Sequence, residues 1–208
     1  MRGDVRLDAL VRRSVTVVGT RAATRYGEQV TRSFAGDLAD AGFSLISGGA
    51  IGIDAIAHRA ALESKMPTVV VMACGLDVSY PKAHGDLFEQ VVAAGGMLIS
   101  EYPPGTPPAR HRFLTRNRLA AALGQATLVV EAPLRSGALN TLNWAEALVK
   151  PTFAVPGPVT SHASLGCLDR IRTARATLAV SARDLIEELT PLGEQMALGL
   201  GQEDRSFL

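Results

Sequence analysis

The sequence is short of several things at once, and each shortage closes off a class of protein. Only two of its 208 residues are cysteine, Cys74 and Cys167, with no CxxC pair and no paired-histidine spacing. That excludes a disulfide framework or a zinc ribbon and reads as two reduced thiols. No apolar run approaches the ~20 residues needed to span a bilayer. Met1 to Arg13 interleaves charges with Val5, Leu7, Leu10 and Val11, unlike the unbroken apolar stretch of a secretion signal. A cytoplasmic location with no membrane partner is therefore expected. Charge of one sign is scarce too: a formal net charge of +1 provides no global field to draw in a polyanion, so nucleic-acid binding would need a local basic patch. Repeats, charge blocks and low-complexity tracts are missing. With 47% hydrophobic and 20% charged residues, the chain is expected to fold by itself around one core.

What is present is an alternation of two periods. Short apolar, β-branched runs at Val15–Gly19, Phe43–Ser47, Thr68–Ala73, Met97–Ser100, Thr127–Glu131 and Thr152–Val155 predict strands. Helices are predicted over Gly27–Ala41, Ile53–Ser64, Lys82–Ala94, Thr115–Leu123, Ala138–Val149 and Ser181–Leu189. In the first of these, Val30, Phe34, Leu38 and Ala41 form one apolar stripe, and Gly42 stops the helix. Strands that are apolar on both faces imply a sheet buried on both sides, so the expected fold is α/β: a doubly wound, mostly parallel sheet with helices on both faces. Residues 1–14 read as a short lead-in, 15–190 as the domain and 191–208 as a tail without clear periodicity. Right-handed crossovers put every strand-to-helix loop on one edge, where ligands of open α/β sheets bind.

Two of those loops carry chemistry. Ser47-Gly48-Gly49-Ala50-Ile51-Gly52-Ile53-Asp54 follows a strand and opens a helix, so its amides and the helix dipole face an anion; the alternative is a tight turn and nothing more. The dinucleotide fingerprint and the Gly-Lys-Ser/Thr ending of a P-loop are both absent. Between Glu101 and Glu131 no acidic residue occurs, yet the stretch holds Arg110, His111, Arg112, Arg116 and Arg118. Guanidinium forks suit phosphate oxygens, and Phe113 among them offers a face for a base, the pairing expected for a single strand; the alternative is a solvated basic loop with Phe113 in the core. Asp54 and His58, one helical turn apart, are spaced for acid–base work, or for a dipole-complementing Asp with His58 bonded to it. Glu131 and Ser136 hint at a nucleophile, but no triad order or nucleophile elbow supports one.

Read together, the loops spell a pattern: Gly19-Thr20-Arg21 with Tyr26-Gly27, the Ser47–Asp54 loop with Ala57-His58, Cys74-Gly75-Leu76-Asp77 with Tyr80-Pro81, and Ser100-Glu101-Tyr102-Pro103-Pro104-Gly105. It continues through Phe113, Arg116-Asn117-Arg118, Val130-Glu131-Ala132, Ser136-Gly137, Ala154-Val155-Pro156-Gly157 and Gly166-Cys167. In this the chain resembles the DNA-processing protein A family, also called Smf, in order from Val15 to Leu189. The resemblance implies a Rossmann-like domain that forms a homodimer and binds single-stranded DNA without hydrolysing it. It further implies a mediator that protects the strand and loads the bacterial recombinase during recombination or natural transformation. Arg21, Ser47, Gly48, Gly49, Gly52, Arg110, Phe113, Arg116, Asn117 and Arg118 would then line the DNA pocket, with Ser136 and Gly137 beside them. No catalytic residue, cofactor or metal ligand is expected.

The chain departs from the family pattern at Ile51, where many members carry Arg, and at Asn140-Thr141-Leu142-Asn143, which replaces an Ile-Thr-Ala-Arg-like stretch. Its length leaves little room for the N-terminal helical and C-terminal winged-helix domains of many members, so a minimal core or a shortened form is expected. Two rivals use the same phosphate site: a nucleotide phosphoribohydrolase-like enzyme and a small-nucleotide sensor. The enzyme's Pro-Gly-Gly-x-Gly-Thr run is replaced here by Arg135-Ser136-Gly137-Ala138-Leu139-Asn140-Thr141.

Overall fold

Seven short strands, β1 (Ser14–Val18), β2 (Ser44–Ser47), β3 (Thr68–Val71), β4 (Met97–Ile99), β5 (Ala126–Val129), β6 (Thr152–Ala154) and β7 (Thr177–Leu178), form one sheet in the computed structural model, which describes residues 1–191. Their order is β4-β3-β2-β1-β5-β6-β7 and every neighbouring pair is parallel. The expected doubly wound α/β sheet is thus present, parallel throughout rather than mostly. Strands β1 to β5 are buried at every position, as a sheet covered on both faces requires.

One face packs against α2 (Arg25–Asp40), α3 (Ile53–Glu63), α4 (Gly85–Ala93) and α8 (Ala182–Leu189). Val15, Val17, Leu45 and Leu128 point to this side and meet Phe34, Leu38, Ala57 and Leu185. The other face packs against α1 (Leu7–Val11), α5 (Arg110–Leu123), α6 (Gly137–Ala147) and α7 (Leu165–Arg172), where Val18 and Val129 meet Leu139 and Leu142. Leu10 of α1 is buried among Ile46, Val69 and Val71, so the lead-in forms part of the core. Arg2 extends it by bonding both ways to Leu98 across the free edge of β4.

Three elements escaped the sequence reading. α1 and α7 are short, and β7 is a two-residue edge strand with exposed side chains, too brief for any period to register. More consequential is α5, which begins at Arg110 rather than Thr115. Its first turn holds Arg110, His111 and Arg112 and no acid, against the preference of a helix N-terminus for negative charge. The basic stretch is therefore helical, and the element order changes direction between β1 and β5, leaving a crevice at their carboxyl ends. The predicted tail falls outside the described residues apart from Pro191.

Candidate nucleic-acid interface

A cleft of about 950 Å³ occupies that crevice. Gly19, Thr20 and Arg21 after β1 form one part of its lining, and Arg110, Phe113, Arg116 and Asn117 of α5 another. The opposite wall is Pro133 to Asn143, the loop after β5 and the first turns of α6. Four arginines, Arg21, Arg110, Arg116 and Arg135, share the cleft with a single carboxylate, Asp54. A smaller apolar pocket of about 300 Å³ lies alongside, walled by Ile51, Tyr80, Pro81 and Phe113.

The glycine-rich loop sits over two buried side chains of opposite charge, Arg116 and Asp54. Arg116 is only 6% exposed, and its Nη1 donates to the Val71 carbonyl at 2.7 Å. A Cβ on Gly48 would lie 1.9 Å from that Nη1, so the absence of a side chain is what admits the guanidinium. Asp54 accepts the Ala50 amide at 3.3 Å, and burial lifts its carboxyl above the usual carboxylate range against the pull of Arg116. Burial likewise lowers Arg116 from the ordinary arginine value while Asp54 opposes the drop. Asp54 thus holds the loop through the Ala50 amide, and Arg116 fills the space that Gly48 leaves. Ser47 is fully buried and its hydroxyl donates to the Val17 carbonyl, tying β2 to β1. The Ile51 and Gly52 amides have no hydrogen-bond partner among the described residues and stand at the start of α3. Gly52, with φ +82°, turns the chain there, and Gly49 is buried against Val70 and Phe88.

Of the other expected site residues, Phe113 is half-buried between Tyr80, 5.4 Å away between ring centroids, and the Arg21 guanidinium, 5.1 Å from its ring. Arg110 is exposed at the start of α5. Arg118 instead reaches the Glu101 carboxylate at 2.7 Å, the acid that precedes the basic stretch in sequence. It does not line the cleft. Asn117 uses its amide group on Gly137 O and Asn140 Oδ1 at 3.1 and 3.2 Å. The Ser136 hydroxyl caps α6 by accepting the Ala138 amide at 3.2 Å, and Gly137 is exposed on the cleft wall.

His58 and Asp54 do not pair. The Thr68 hydroxyl donates to Leu45 O at 2.7 Å, leaving its lone pair to accept from His58 Nδ1–H at 2.8 Å. Burial depresses this imidazole to about 3, and it stays neutral below the sheet edge, outside the cleft. Glu131 accepts the Thr24 amide at 3.0 Å and the Thr24 hydroxyl at 2.6 Å, which secures the start of α2. Arg135, Tyr80, Asn140 and Asn143 were missed as cleft residues. For Arg135 a signal existed: it lies in the loop after β5, at the edge where the topology places ligands.

The comparisons accord with this architecture. The DNA recombination-mediator protein A family model matches residues 1–190. DNA processing protein DprA of Mycobacterium tuberculosis is 53% identical over 192 residues, covering 92% of this chain and 49% of that protein. The chain thus spans about half the length of the curated relatives of this kind. The X-ray structure of DNA processing protein A from Streptococcus pneumoniae superposes with a TM-score of 0.82 at 36% identity, covering 91% of this chain and 65% of that one. DNA processing protein A from Helicobacter pylori, whose structure addresses its single-stranded DNA binding mode, gives 0.80 at 31% identity, covering 90% and 84%. The chain belongs to the DNA recombination-mediator protein A family.

Proposed function

We propose that the chain binds single-stranded DNA in the crevice between β1 and β5, as the binding module of a recombination mediator. The observation that carries this is the rim of the cleft: Arg21, Arg110 and Arg135 are exposed, and none is paired with a carboxylate among the described residues. Three cations around one cleft, beside the Phe113–Tyr80 pair and the open amides of Ile51 and Gly52, suit a chain of phosphates with bases between them. The solved Helicobacter pylori relative, described by its single-stranded DNA binding mode, supports the same ligand class.

Family membership supports a role beyond binding. We infer that the protein protects the strand and helps load a bacterial recombinase without turning DNA over, in DNA processing that serves natural transformation, and that it acts as a homodimer. The position of His58 supports binding rather than catalysis, because the one histidine spaced for acid–base work with Asp54 does not reach the cleft. Sedimentation at micromolar concentration tests the dimer, and co-purification with a recombinase tests the partner.

The decisive experiment is titration of a labelled oligonucleotide across salt. Single-strand binding loses about 0.7 decades of affinity per decade of salt for each phosphate neutralised, so three rim arginines give a slope of about −2. A flat response with tight mononucleotide binding would assign a nucleotide sensor instead. Release of a free base from a nucleoside monophosphate would assign a hydrolase.

A further inference from the structure

The geometry points to a base-reading wall on the α6 side of the cleft, one that presents N–H donors and selects bases offering carbonyl oxygens. It rests on the single-stranded DNA reading above and adds a preference to it. Asn140 and Asn143 lie three residues apart on α6, hence on one face, and both line the cleft. Their carboxamide orientations follow from donor and acceptor chemistry. The Gly137 carbonyl can only accept, so the Asn117 group facing it at 3.1 Å is the NH2. The second hydrogen of that NH2 meets Asn140 at 3.2 Å, which therefore turns its oxygen toward Asn117. Arg175 can only donate, so its 3.2 Å contact holds the oxygen of Asn143. On both Asn140 and Asn143 the NH2 is left without a protein partner among the described residues.

An asparagine with both ends open reads adenine by accepting from N6 and donating to N7. Here the oxygens are engaged, and what remains for a ligand is donation. Thymine and guanine meet such a wall with carbonyl oxygens. Adenine has none: its ring acceptors N1 and N7 both flank the N6 amino group, which would oppose donor to donor, and N3 lies on the sugar side. The wall thus favours thymine-bearing strands over adenine-bearing ones.

The test compares binding of short oligo-dT and oligo-dA by fluorescence anisotropy at one salt concentration, for the full chain and for Asn140→Ala and Asn143→Ala. Self-stacking of oligo-dA biases the raw preference, but it is the same for every protein and cancels when the dT/dA affinity ratios are compared. The ratio is expected to fall about three- to tenfold in the variants, the size of one or two hydrogen bonds. Asn143 is exposed and its replacement leaves the Asn117–Asn140 bond intact, so that variant answers even if Asn140→Ala melts early. Ratios within twofold of wild type in both variants, with salt-dependent binding retained, would overturn the wall and leave the DNA reading standing. Failure to bind either oligonucleotide would remove both.

Discussion

Replacing Gly52 by alanine probes how the two loops of the crevice are held together. Gly52 has φ +82° and ψ −135°, and a Cβ there would lie 2.4 Å from the Thr20 carbonyl oxygen and 2.7 Å from that of Arg21. Both neighbours are backbone, so no rotamer change relieves the collision. The unfavourable conformation costs about 1–3 kcal/mol. Loss of the Ile53 N–H to Thr20 O bond, 3.2 Å long, adds about 0.5–1.5 kcal/mol. A combined loss of about 1.5–4.5 kcal/mol lowers Tm by about 3–18 °C for a domain of this size. Gly42 is the control: its φ is +81°, but nothing lies within 4 Å of its added Cβ. Gly42→Ala therefore carries only left-handed strain, about 1–2 kcal/mol. Thermal unfolding followed by circular dichroism compares the two variants, and anisotropy with an oligonucleotide follows the site. Gly52→Ala should melt lower and bind more weakly, because Arg21 moves with the displaced Thr20–Arg21 backbone. Equal melting of the two variants, with binding intact in both, would refute the claim that this contact sets the loop.

Three further outcomes are expected. Glu101→Gln releases Arg118 from its ion pair, and because Arg118 does not line the cleft an oligonucleotide titration should show an unchanged salt slope; a slope steeper by about 0.7 would put Arg118 on the strand. Gly48→Ala and Arg116→Ala are each expected to cost about 1–3 kcal/mol in urea unfolding, since either disturbs the buried Arg116 guanidinium and its bond to the Val71 carbonyl; the double variant should be no worse than Arg116→Ala alone, and additive losses would contradict the packing of one against the other. His58 is held near 3, below its ordinary 6.5, so the unfolded chain binds the extra proton: its contribution is present above pH 6.5 and is lost at roughly a kcal/mol per unit as pH falls toward 3. The raised Asp54 carboxyl has the opposite sign, costing stability as pH rises above its unfolded value. The comparison is therefore between wild type and His58→Gln: the variant should show the shallower acid dependence between pH 6.5 and 5, and identical profiles would contradict it.

The fold was legible because its strands are apolar on both faces and glycines end its loops, so Val15–Gly19 or Thr68–Ala73 admits little else. The edge carrying the site was legible for the same topological reason. Side-chain roles were less so. Arg116 and Arg118 look alike in sequence, yet one faces the core near Asp54 and the other reaches Glu101, a difference set by which side of α5 meets the sheet. Ser47 and Ser136 read as ligand groups, but their hydroxyls serve a strand and a helix cap. The start of α5 was hidden because cations crowd the end of a helix that ordinarily repels them, while Thr115 looks like a cap.

That crowding links occupancy to local order. The leading turn of α5 follows Ala109, which provides no side-chain cap, and its cations press on the positive end of the peptide dipoles. A bound polyanion would supply the missing counter-charge, so the residues proposed to hold a strand fray more readily without one. Phe113 sits at the end of that turn, its amide bonded to Ala109 O at 3.3 Å. The ring that would stack a base is thus assembled most firmly when a strand is already in place, and amide hydrogen exchange along Arg112–Phe113 becomes a direct gauge of how full the crevice is.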